Sequence, residues 1–167
     1  SWFRQWNPHV NYRGYYGLDD FYQSGQFHLD FTEIEFSSGA RFGPEVNVFH
    51  EGLQRPFEIN PGDSLGIGGY DWVQLGLDWQ TNPSANLSMI VRGDFGQFYT
   101  GTRNGGTVTI TARSGPNISS SLLLDYQDVR LPDFSFTRSL VGLKAAYFFT
   151  PRIFIQSLTQ FNNQQKI

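Results

Sequence analysis

From Tyr70 onward the chain alternates. Val73, Leu75, Leu77 and Trp79 fall on one side of an extended backbone, and Gln74, Gly76, Asp78 and Gln80 on the other. A period of two is the pattern of β-strands whose two faces meet different surroundings. It recurs with Leu87, Met89, Val91 and Phe95 opposite Ser88, Arg92 and Asp94, and with Val108, Ile110 and Ala112 opposite Thr107, Thr109, Thr111 and Arg113. Ile118, Leu122, Leu124 and Tyr126 then oppose Ser119, Ser121 and Asp125, with Leu123 breaking the polar side. The closing stretch, Phe136–Asn162, holds two more runs joined at Thr150-Pro151. Val141, Leu143, Ala145, Tyr147 and Phe149 oppose Gly142, Lys144 and Ala146, and then Ile153, Ile155 and Phe161 alternate with Gln156 and Gln160.

The first seventy residues are less regular. Trp6, Val10, Tyr12 and Tyr16 alternate with Asn7, His9, Asn11 and Arg13, and Pro8 predicts an edge position or a bulge. The apolar phase of Gln26–Phe36 slips between Phe31 and Ile34, which predicts a β-bulge near Thr32-Glu33. Arg41–His50 reads as a further strand, and residues 51–70, rich in proline and glycine, as the longest irregular connection. The sum is all-β: an antiparallel up-and-down meander of roughly nine strands. Short turns are expected at 37–40, 82–86, 114–117 and 150–152, and longer connections at 17–25, 50–70, 94–106 and 127–136.

The terminal runs are about ten residues long, close to what a tilted strand needs to cross a bilayer. Their apolar faces carry no charge. A transmembrane outer-membrane-type β-barrel, with lipid outside and water inside, fits this pattern, its short turns toward the periplasm and its longer loops outside. A soluble β-barrel or sandwich acting as a carbohydrate-binding module is the competing architecture. Trp79, Phe95, Phe98, Tyr99, Tyr126, Tyr147, Phe148, Phe149 and Phe161 lie near predicted strand ends and read as two aromatic girdles at the lipid–water boundary.

Composition agrees with the pattern. Charged residues make up only 16% of the 167 residues, below the usual quarter, while aromatics reach 17% and glycines number 18. A net charge of -3 with scattered basic residues gives no basis for a nucleic-acid partner. There is no cysteine, so disulfides and thiol chemistry are excluded. No apolar run of about eighteen residues is present to make a transmembrane helix. Residues 1–167 read as a single β-barrel segment, and the missing initiator methionine and signal peptide lead us to expect a fragment or processed product of a larger barrel protein.

Candidate chemistry is sparse. His9, His28 and His50 show no metal-ligand spacing and read as structural or surface groups. Asp19, Asp20, Asp63 and Asp71 read as solvated loop acids rather than a calcium site. There is no nucleophile elbow, and Gly66–Gly69 is followed by no helix that would make it a dinucleotide fingerprint. No catalytic, cofactor or metal residue is assigned, and the chain reads as non-enzymatic. An outer-membrane hydrolase with its active groups elsewhere is the remaining alternative. The polar face is the more informative feature: Asp78, Arg92, Asp94, Arg113, Asp125, Lys144, Gln156 and Gln160 are expected to face a watery interior, their mixed signs favouring a paired network over an open path. Phe98, Tyr99, Arg103 and Arg130 are candidates for stacking on a sugar, with loop packing as the plainer role.

Several stretches also resemble a known family. Leu53–Ile59 (LQRPFEI), the proline-glycine stretch Pro61–Trp72, Gly96–Arg103 (GQFYTGTR), Asp128–Phe136 (DVRLPDFSF) and the final FFTPRIFIQSLTQFNN are collinear with the barrel part of a bacterial outer-membrane domain of unknown function. The resemblance covers about residues 40–165. In that family the barrel typically follows a carbohydrate-binding module similar to family nine. The resemblance therefore implies a Gram-negative outer membrane, lipid as a partner, and surface binding or uptake of a glycan-derived ligand. The chain departs from the family in lacking that module and the earlier strands. It also stops where at least one more hairpin is expected, so the remaining barrel strands or neighbouring copies are implied as partners.

Overall fold

The computed structural model describes residues 2–166. Among them there are strands, turns and bends but no helix. The strands are β1 (Phe3–Trp6), β2 (His9–Tyr16), β3 (Tyr22–Asp30), β4 (Ile34–Phe36), β5 (Arg41–Leu53), β6 (Phe57–Asn60), β7 (Asp63–Leu65), β8 (Gly68–Gln80), β9 (Leu87–Phe98), β10 (Gly101–Ser114), β11 (Ile118–Arg130), β12 (Ser135–Thr150) and β13 (Ile153–Lys166). All but β6 and β7 form one antiparallel sheet.

Two interruptions explain the irregular start. Proline has no N–H to give a ladder, and the first path breaks at Asn7-Pro8 into β1 and β2. The second path breaks at residues 31–33 into β3 and β4, where the apolar phase slips. The breaks face each other, and the Asn7 amide donates across them to the Glu33 carbonyl at 2.9 Å. β1 pairs with β4 and β2 with β3, while β3 and β4 share the edge of β5. With each broken path counted once, the sheet is a nine-rung meander running through β5, β8, β9, β10, β11, β12 and β13. Among the described residues it is not closed: β13 pairs only with β12, and the first path only with the second.

The connections differ from those expected. The stretch 94–106 is strand rather than loop, because β9 and β10 meet at a two-residue turn, Tyr99-Thr100, in which Tyr99 takes a φ of 50°. Glycine here marks close approach. A Cβ on Gly106 would lie 2.5 Å from the Arg92 carbonyl oxygen, and one on Gly101 would collide with that of Arg130. The connections expected at 127–136 and 17–25 shrink to residues 131–134 and 17–21. Only 54–67 remains long, and it carries the β6–β7 hairpin, turned at Pro61-Gly62 with Gly62 at a φ of 80°.

Residues directly opposite in a ladder share a face, so the register assigns the faces. Asn11, His28, Asn47, Gln74, Gly96 and Arg103 follow one another across β2, β3, β5, β8, β9 and β10. On this face polar groups are buried, with Gln74 3% and Asn47 6% exposed. The opposite face carries Val73, Leu75, Trp79, Phe95, Leu124, Val141 and Leu143, all exposed. Around β5 and β8 the sheet thus covers its polar face while presenting its apolar one; toward β12 and β13 the polar face is open as well, with Lys144, Gln156 and Gln160 exposed.

A single apolar cluster interrupts the polar face, at the end where β5 meets the hairpin. Leu53, Leu65, Val129, Leu131 and Phe136 are buried together, with Ile59, Tyr70, Phe98, Tyr99 and Phe134 packed around them. The β6–β7 hairpin therefore reaches from β5 across the sheet to β11 and β12. Burying Leu65 under it is worth about 1.5–3 kcal/mol.

Candidate binding face

The eight polar residues expected to look inward all lie on the polar face, where Asp78, Asp94 and Asp125 are half-buried and Arg92, Arg113, Lys144, Gln156 and Gln160 are exposed. Asp78 stands opposite Arg92, Arg92 opposite Thr107, and Thr107 opposite Asp125. Asp94 and Arg113 follow in phase on their strands. Lys144 stands opposite Ser121, and Gln156 and Gln160 stand opposite Ala146 and Gly142 in the same phase of β12.

Their chemistry is more varied than a chain of ion pairs. Arg92 Nε donates to Asp78 Oδ2 at 2.8 Å. Asp125 Oδ2 accepts from Thr107 Oγ1 at 2.7 Å. Arg113 Nη1 donates to the carbonyls of Pro83 and Ala85, at 3.0 and 3.2 Å, and so fastens the β8–β9 turn. Lys144 and Gln156 line a recess of about 260 Å³ with Thr111, Ser119 and Ser121. Lys144 also lines the next one, about 220 Å³, with Gln160. Asp94 borders a recess of about 420 Å³ on this face, together with His9, His28, Glu45, Asn47, Gln74 and Arg103.

Three of the four stacking candidates come together, and one does not. The Arg103 guanidinium sits 4.9 Å above the Phe98 ring and donates to Gln74 Oε1 at 3.2 Å. Tyr99 packs against Phe98 and Trp72, with ring centroids 4.8 and 4.6 Å apart, and its hydroxyl donates to Glu51 Oε2 at 3.0 Å. Burial, and then the Glu51 carboxylate, hold the Tyr99 phenol well above its ordinary pKa. These aromatics belong to the rim of the apolar cluster, not to a girdle. Phe148 also lies on the polar face, against Phe154 at 5.6 Å, whereas Phe95, Tyr126, Tyr147, Phe149 and Phe161 are exposed on the apolar face. Arg130 lies on the opposite face, paired with Asp128 at 3.0 Å.

The histidines are where pairing adds most to the sequence. His50 stacks on Tyr22 at 4.2 Å and meets Asp71 at 2.7 Å, in keeping with a surface role. His9 and His28, separate in sequence, become neighbours because β2 and β3 pair with His9 opposite Asp30 and Asn11 opposite His28. Their Nε2 atoms are 3.3 Å apart, and Asp30 Oδ2 lies 3.5 Å from His9 Nδ1 and 3.7 Å from His28 Nε2. The signal was a His two positions before an Asp on one strand of a hairpin, readable only with the register in hand.

No protein-family model matches the chain, and neither a curated protein nor a solved structure is significantly similar to it.

Proposed function

We propose that this chain is a wall segment of an outer-membrane-type β-barrel, non-enzymatic, that takes part in surface binding or uptake of a glycan-derived ligand. The observation that carries the membrane assignment is the inverted burial: Gln74 and Asn47 are covered while Leu75 and Leu143, on the other face, are 55% and 51% exposed. In water that face would be an apolar patch far larger than soluble monomers present. The exposed apolar run on β12, Val141 to Phe149, covers about 27 Å of strand at roughly 3.4 Å per residue, or about 21 Å of bilayer at a tilt near 40°. Above it the same face turns polar, with Thr137 and Ser139. The β6–β7 hairpin, folded onto the polar face, would then narrow the lumen at the loop end. The glycan rests on the family resemblance and on a polar face able to hydrogen-bond hydroxyls.

Brominated lipids test the membrane part. With the other tryptophans replaced by phenylalanine, Trp79, on the apolar face, should be quenched strongly by lipid brominated near the headgroup. Trp72, 7% exposed on the polar face, should be quenched little. Equal quenching at both positions, or recovery of the full-length protein free of membrane, would leave a soluble sheet protein instead. Liposome conductance and its block by oligosaccharides then test for uptake.

A further inference from the structure

We propose that His9, His28 and Asp30 form a binding site for a divalent transition-metal ion, of which zinc is the best fit, beside the recess that His9 and His28 line. One donor atom from each residue can be chosen so that all three lie within 4.8 Å of one another. The two imidazole nitrogens are separated by 3.3 Å. In a tetrahedral zinc site with bonds of about 2.0–2.1 Å, neighbouring ligand atoms are about 3.3 Å apart. Asp30 Oδ2, at 3.7 Å from His28 Nε2, needs only a small closure to reach that spacing.

The protonation pattern favours a cation as well. Asn47 is oriented by Glu45: its Nδ2 donates to Glu45 Oε1 at 2.9 Å, so its Oδ1 is the atom turned to His28. That oxygen accepts from His28 Nδ1 at 2.8 Å, which puts the ring proton on Nδ1 and leaves a bare lone pair on Nε2. A histidine tautomer fixed by a second-sphere acceptor is the usual preparation for a metal ligand. The lone pair points toward a carboxylate and another imidazole. Asp30 is 8% exposed, and its Oδ1 is buried with no hydrogen-bond partner, which is a costly state for a carboxylate without a cation. The other ring nitrogen of His9, Nδ1, has two carboxylates beside it, Asp30 Oδ2 at 3.5 Å and Glu33 Oε2 at 3.9 Å.

The donor set selects the ion. Two nitrogens and one carboxylate suit zinc and its neighbours, whereas calcium and magnesium require oxygen. With His9 and His28 on the wall of a recess of about 420 Å³ and only three protein ligands, the fourth position can take water or an anionic or hydroxyl-bearing ligand.

The test uses the full-length protein, stripped with chelator and titrated with zinc chloride against a chromophoric competitor. One zinc per chain is expected, and cobalt in its place should give the intense visible bands of a tetrahedral site. His9→Gln, His28→Gln and Asp30→Asn should each weaken zinc by at least about 100-fold, Asn47→Leu by about 10–100-fold, and His50→Gln not at all. Calcium and magnesium should not compete. X-ray absorption on the zinc-loaded wild type should show two imidazoles and oxygen, a readout that needs no variant to fold. Absence of stoichiometric zinc, full affinity in the His9→Gln/His28→Gln double variant, or a shell without two imidazoles would each overturn the proposal. A shared proton between the rings would then account for their closeness.

Discussion

A charge placed on the apolar face separates water from lipid as its solvent. Leu143 sits mid-strand on β12, opposite Leu122 on β11 and Thr159 on β13, and is 51% exposed. If that face met water, Leu143→Arg would put a soluble side chain on a half-exposed strand position, with a cost within about 0.5 kcal/mol either way. If it meets hydrocarbon, arginine near the midplane costs about 2–4 kcal/mol and near the boundary only about 0–1 kcal/mol. Phe149, six residues on and next to the β12–β13 turn, supplies the boundary position, and Gln160→Arg, on the polar face opposite Gly142, controls for added charge. The cost should therefore be graded: large at 143, small at 149, small at 160. Equilibrium unfolding of the full-length protein in lipid vesicles, followed by tryptophan fluorescence against denaturant, measures all three. A Leu143→Arg cost below about 0.5 kcal/mol, or one equal to that of Phe149→Arg, would refute lipid as the solvent of this face.

Other consequences can be checked singly. Leu65→Ala should cost about 2–5 kcal/mol, because Leu65 is buried in the cluster that holds the β6–β7 hairpin, and limited proteolysis should then cut at Arg55. Tyr99→Phe should cost about 1–3 kcal/mol, since Glu51 loses the hydroxyl donating to it in a partly buried setting; Glu51→Gln in the same background should recover part of the loss in a double-mutant cycle. Asp19 is a pH marker. The Gln54 amide, and then backbone N–H groups, hold its carboxyl below the ordinary value of 3.8, so the stabilisation it lends the 17–21 loop is complete above that value and disappears as pH falls through the lowered one. Nuclear magnetic resonance should show the Gln54 side-chain amide shifting over that acid range, and Asp19→Asn should abolish the shift.

The ladder was legible in the sequence because each strand from β8 to β13 has faces of opposite polarity. Such a strand has one register that keeps Val73, Leu75 and Trp79 with Phe95, and a slip of one residue would mix the faces. The eight polar candidates inherit their common face from that contrast. Glycine misled the reading between Gly93 and Gly106. There it serves close packing of strand backbone, and sequence alone does not separate that from a turn. The fates of Phe98 and Tyr99 depend on which end of the sheet the 54–67 excursion folds over, a long-range event with no local period, whereas Arg130 follows the phase of Leu124 and Tyr126 onto the opposite face. His9, His28 and Asp30 needed the β2–β3 register, which the Pro8 and Thr32 interruptions obscure.

The distribution of apolar surface ties these features together. Among the described residues, the buried hydrophobics are Leu53, Leu65, Trp72, Val129, Leu131, Phe136 and Ala146, and most of these lie at the hairpin end. That is too little to offset the ordering of a chain this long if water were the only solvent. On the proposed membrane reading the missing stabilisation comes from the exposed apolar band on β8 to β13, whose side chains gain their transfer energy only when something apolar covers them. The free edges point the same way. β2 is exposed along its whole length, and β13 shows exposed Ile155, Leu158 and Phe161 beside backbone groups that only one neighbour pairs. In hydrocarbon each such unpaired group costs several kcal/mol. Lipid therefore stabilises the band only if the edges are also joined, through further strands or through another copy. Closure and membrane insertion are on this account a single condition, and the polar face, with its histidines, acids and recesses, becomes an enclosed wall when that condition is met.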